Sequence, residues 1–91
     1  MEMNVLPELL TILEKDYQSK SSGHIVSVIC NLLAGDDDVR QYCLDLNVTY
    51  HLKTMLNQTQ DNQIIYNILL CFSNIARGTE NQISVLIFND I

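Results

Sequence analysis

His24, Ser27 and Asn31 stand at the three- and four-residue spacings that stack side chains along one face of a helix. A histidine beside a serine is the pairing that lets an imidazole take a hydroxyl proton. Nucleophilic catalysis also needs an acid to orient the imidazole and backbone donors for the oxyanion. Neither an acidic partner nor a glycine turn accompanies these residues. His24 and His51 lie far apart in the pattern with no cysteine at metal-ligand spacing, which argues against zinc. Asp36, Asp37 and Asp38 lack the alternating ligand positions of a calcium loop and sit where a helix begins, so they are read as caps. The chain is expected to be no enzyme and to need no metal or cofactor.

Asn31 and Asn74 carry the remaining chemistry. An amide inside an otherwise apolar helix is a cost unless it finds partners. In one reading each amide bonds the backbone of a neighbouring helix or water. In the other, the two share one face and grip an extended peptide by its backbone, which gives affinity without demanding a particular sequence.

The elements that would position these residues follow from the apolar periods. Leu6, Leu9, Leu10 and Leu13 form the stripe of an amphipathic helix, with Asn4 as its cap, Pro7 in its first turn and an end near Asp16. Residues 17–23 carry no apolar period and are expected to turn. From Ile25 to Leu33 the chain is apolar on most sides, which describes a helix packed on more than one face, and His24, Ser27 and Asn31 are its polar stripe. Ala34-Gly35 is expected to stop it, with the glycine left-handed. A short helix follows from the three aspartates through Leu46, with carboxylates at the positive end of its dipole. Thr49 is expected to cap a fourth helix running to Leu56, and residues 57–62 form a polar loop. A long apolar helix from Ile64 to Ile75 stops at Gly78, and Ile83, Leu86 and Ile87 mark one more short helix.

Composition bounds the function. Ninety-one residues make one small domain with a core that is marginal by size. The apolar fraction of 47% excludes a disordered chain, yet no run reaches the length of a membrane span. The N-terminus shows no secretory pattern, so cytoplasm and nucleus are the expected compartments, and Asn47 and Asn57 are read as capping and loop residues in place of glycan acceptors. Cys30, Cys43 and Cys71 fall in apolar periods and are read as buried thiols. Tyr42, Tyr50 and Tyr66 are read as core or rim. A formal charge of −6 disfavours nucleic acid and favours a basic partner.

The two halves of the chain repeat. Cys30 to Asp37 aligns with Ser73 to Glu80, so that Asn31 and Asn74, and Gly35 and Gly78, are both 43 residues apart. That period lies within the ~40–47 residues of armadillo and HEAT arrays, and a short helix before two longer ones favours the former. The expected fold is all-α, an armadillo-type right-handed α-solenoid fragment of about two repeats. Residues 1–35 would supply the second and third helices of one repeat, 36–78 one complete repeat, and 79–91 the first helix of the next. Ile83, Leu86, Ile87 and Ile91 would be left partly bare at the end, which suggests a piece of a longer array or one continued by other molecules.

The segments Asn31-Leu32-Leu33-Ala34-Gly35-Asp36-Asp37, with Gln41 downstream, and Ser73-Asn74-Ile75-Ala76-Arg77-Gly78-Thr79-Glu80-Asn81-Gln82 resemble the Ser-Asn-Ile-x-x-Gly-x-x-x-Gln helix ending of the importin-alpha family. The resemblance runs over roughly residues 5 to 91 and is nearest the C-terminal half of that family's array. It implies an adaptor that binds basic nuclear localisation signal peptides for nuclear import. It also implies a concave groove in which asparagines hold the cargo backbone and tryptophans make slots for lysine stems. Asn31 and Asn74 match those asparagines. Ser27 and Leu70 stand at the tryptophan positions, and His24 and Asn67 where carboxylates often stand. Importin-beta would be engaged only through a basic arm that this segment lacks.

Overall fold

A computed structural model describes residues 5–89 and 91. All regular structure among them is helical: α1 (Val5–Lys15), α2 (Ser22–Leu33), α3 (Asp37–Asp45), α4 (Val48–Gln58), α5 (Asn62–Ala76) and α6 (Glu80–Phe88). The expected cap Asn4 lies outside the described residues. The helix ends recur at the sequence period: α1 and α4, and α3 and α6, begin and end 43 residues apart, and α2 and α5 end 43 apart. Like also packs on like. α2 lies along α5, α1 along α4 and α3 along α6, while neighbours in the chain close the layers between them.

The core is a single apolar cluster. Leu6, Leu10 and Leu13 of α1 meet Val26, Ile29 and Leu33 of α2, Cys43 of α3, Leu52 and Met55 of α4, and Ile68, Cys71 and Ile75 of α5. The core stripes are those of the sequence. α2 is buried along Ile25, Val26, Ile29, Cys30, Leu32 and Leu33, and it leaves His24, Ser27 and Asn31 exposed. All three cysteines are buried and unpaired. Burial pushes the Cys43 thiol up to about 11 and the Cys71 thiol higher still, so neither is a thiolate at neutral pH. Tyr42 is half-buried, whereas Tyr50 and Tyr66 are exposed.

Helix starts follow side-chain chemistry. Asp36 accepts from the Val39 amide and Asp61 from those of Gln63 and Ile64. Thr79 and Gln82 form a reciprocal capping box on α6. Three expectations are corrected. Helix α2 begins at Ser22, taking in Gly23 and shortening the expected loop, because the Ser22 hydroxyl and amide both bond the Ser19 carbonyl. Thr49 caps nothing: it lies inside α4, fully buried with no partner for its hydroxyl, and the cap position falls to Asn47 in the left-handed region at φ 67°. Helix α4 accordingly runs to Gln58, two residues past Leu56.

The third correction concerns Gly35, expected to be left-handed: neither it nor Gly78 has positive φ. At Gly78 close approach explains the glycine instead. A Cβ on Gly78 would clash with the Gln82 side-chain oxygen and sit 3.0 Å from Cδ of Arg40. On Gly35 it would sit 3.1 Å from the Leu32 carbonyl.

Candidate functional site

Helices α2 and α5 lie against each other, and at the N-terminal ends of both opens a groove of about 670 Å³. His24 and Ser27 reach it from α2, and Gln63 and Asn67 from α5. Tyr17 to Lys20 and Thr59 to Asp61 close it from the flanking loops. The fold therefore gathers three of the sequence-derived candidates, His24, Ser27 and Asn67. The groove is lined mainly by neutral polar groups, with one carboxylate, Asp61, and one ammonium, Lys20. Asp61 is already committed to the α5 cap. The Ser27 hydroxyl donates to the Gly23 carbonyl, and the Asn67 carbonyl accepts from Gln63 at 3.5 Å, a contact weak enough to exchange for a ligand.

The other three candidates lie elsewhere. Asn31 is exposed on α2 and Leu70 is exposed on α5, neither lining the groove. Asn74 is 8% exposed, and its amide nitrogen donates to the Cys30 carbonyl at 3.1 Å and faces the Cys30 sulfur at 3.5 Å. Its amide holds α5 to α2, the neighbouring-helix use that the sequence left open. Beside it, Ala34, Gly35, Arg40 and Arg77 line a polar cleft of about 180 Å³.

Two polar clusters escaped the sequence reading. Arg40 is buried on α3 and clamps the end of α2: Nε donates to the Leu33 carbonyl at 3.0 Å and Nη2 to the Gly35 carbonyl at 2.8 Å. Its Nη1 meets Asp37 at 2.6 Å and Gln82 of α6 at 3.4 Å. Gln82 in turn donates to the Asp37 carbonyl and to Gln41. These bonds satisfy carbonyls that the last turn of α2 leaves without helical partners, and they set a cation at the negative end of its dipole. The available signal was Arg40's place beside Val39, Cys43 and Leu44 on the core-facing stripe, where a charge calls for buried partners.

The second cluster joins α1 to α4. The Tyr17 hydroxyl lies 3.0 Å from His51 Nδ1, and Glu14 lies 3.5 Å from Nε2. A neutral imidazole protonated on Nε2 satisfies both neighbours. Burial lowers the His51 pKa from its ordinary 6.5, and the Glu14 carboxylate only partly opposes this because Glu14 is largely exposed. Burial likewise raises the Tyr17 pKa, aided by Tyr50 and Glu14. The sign for stability follows. The unfolded chain takes up a proton at the ordinary pKa, the folded chain only at lower pH, so stability is full above about pH 6.5 and falls as the medium is acidified through it. The melting midpoint is expected to drop between about pH 7.5 and pH 5.5, and the drop to flatten in His51→Gln. Parallel pH profiles for the two proteins would rule His51 out as the cause.

Among the described residues no cluster of His, Cys, Asp and Glu could hold a metal ion, and no helix is long and apolar enough to cross a membrane. No protein-family model, curated protein or solved structure matches the chain.

Proposed function

We propose that the chain is a stacked helical-repeat module of the armadillo type, and that it binds an extended basic peptide in the α2–α5 groove as a weakened importin-alpha-like adaptor. One observation carries this reading: His24, Ser27 and Asn67, picked from the sequence as groove residues, line one open groove between two helices of the same repeat position. The 43-residue recurrence of helix ends and the packing of like helix on like support the repeat. A net charge of −6 suits a basic peptide, and amide and hydroxyl side chains suit its backbone.

The grip is weak by construction. Ser27 offers lysine stems no aromatic wall, and Lys20 adds positive charge to the groove's lining. Work in cytoplasm and nucleus and a connection to importin-beta through other segments belong to the same proposal. The alternative is a protein-interaction scaffold that has lost signal binding.

Anisotropy titration of a labelled lysine-rich peptide at low and physiological salt distinguishes the two. Saturable, salt-sensitive binding is expected, tightened several-fold by Ser27→Trp, since an indole face adds roughly 0.5–2 kcal/mol toward a cation. Ser27 is exposed, so the fold should tolerate the change. A folded chain that binds no peptide with or without the indole would leave the scaffold reading. Asn74→Ala is a poor probe, because its amide holds α5 to α2.

A further inference from the structure

The 43-residue register makes each exposed apolar side chain comparable with its counterpart one repeat away. Val48, Leu52 and Met55 of α4 are fully buried, with α1 and α3 packed against their helix. Their counterparts on α1 are Val5, Leu9 and Ile12, and Ile12 is 48% exposed. At the opposite end, Leu44 of α3 is 9% exposed and its counterpart Ile87 of α6 is 73% exposed. Val26 of α2 is fully buried and its counterpart Leu69 of α5 is 51% exposed. Two apolar end faces therefore stand where the interior repeats have a neighbour, and each lacks the helix type that the other presents.

We infer that these faces are complementary, and that a second copy of this chain docks its α1–α2 end on the α5–α6 end of the first, continuing the stack head to tail. The inference rests on the three-helix repeat and not on peptide binding. The register names the junction. Asn74 donates to the Cys30 carbonyl, so Asn31 of the incoming copy would donate to the Ser73 carbonyl, which explains an exposed amide on a buried helix. The Arg40–Gln82 contact becomes Ile83 against Val39, two aliphatic side chains, both half-buried here. The Cys71–Val26 contact becomes Val28 against Leu69. His51 with Glu14 and Tyr17 becomes Glu8 against Asn57 and Gln60, a carboxylate facing amide donors. None of these pairs sets like charges together. An interface of this heterologous kind does not close by two-fold symmetry.

Sedimentation velocity of the whole chain tests it. The average mass is expected to rise with concentration without a dimer plateau. It should also rise with salt, because each copy carries −6, whereas binding of a basic peptide weakens with salt. Ile12→Glu and Ile87→Glu should each be folded and monomeric. Mixed, they should give a one-to-one dimer and nothing larger, since one retains the α6 face and the other the α1 face. Asn31→Ala should weaken wild-type association several-fold. A wild-type chain that stays monomeric at millimolar concentration overturns the inference. So does association that the mixed variants cannot restore, which would mark a symmetric contact. Failure of peptide binding alone leaves it untouched.

Discussion

Arg40→Met is expected to cost about 3–4 kcal/mol of folding stability, a large share of what a chain of this size holds. Methionine keeps much of the aliphatic stem and so preserves packing while deleting every donor. The buried Leu33 carbonyl at the end of α2 then loses its partner, the Gly35 carbonyl beside the polar cleft loses another, and Gln82 of α6 loses one of its bonds. Arg40→Lys should lie between, because a point charge reaches one carbonyl where the planar fork reaches two. The ion pair itself is a minor part. Asp37 is 65% exposed, so Asp37→Ala should cost under about 1 kcal/mol despite the short contact. Urea unfolding of the three variants checks the order. Equal losses for Arg40→Met and Asp37→Ala would mean that the clamp on α2 contributes nothing.

The apolar periods made the helices legible because each one buries a single stripe, and the polar stripe His24, Ser27 and Asn31 is solvent-facing as its residue types require. What sequence conveys less well is the neighbour. Asn31 and Asn74 are equivalent in text, yet one is exposed and the other buried, because only Asn74 has a carbonyl of another helix beside it. The same gap separates Ile87 from Leu44. Position was also easier to read than cause. Gly35 and Gly78 mark helix ends as glycines should, but backbone handedness demands neither, and at Gly78 it is the packed Gln82 side chain that leaves no room for a Cβ. Thr49 has the side chain of a cap and lies buried as the second residue of the helix, since the turn at Asn47 starts α4 sooner. Arg40 and His51 were hidden for a related reason: a charged or titratable residue is read as surface until its partners, here from helices distant in sequence, are known.

Gly78→Ala should destabilise by about 2 kcal/mol, against the usual direction for a glycine of ordinary φ, where alanine gains ~0.4–1 kcal/mol by restricting the unfolded chain. The added methyl meets the Gln82 side-chain oxygen, the same oxygen that accepts from the Thr79 amide at 3.2 Å and from Arg40. A flexible glutamine on the surface would step aside at little cost. Gln82 is 2% exposed and bonded at both ends of its amide, so stepping aside breaks the α6 capping box and the tie to α3 together. Gly35→Ala is the matched control. It places a methyl equally close to a helix-end carbonyl, 3.1 Å in both cases, but no side-chain oxygen stands in its way. Its cost should be near zero. The coupling can be measured directly by repeating Gly78→Ala on a Gln82→Ala background, where the obstructed oxygen is gone. There the methyl should become neutral or mildly stabilising in urea unfolding. An undiminished cost on that background would trace the glycine to the backbone or to Cδ of Arg40, and would separate the requirement for Gly78 from the contact that joins α3 to α6.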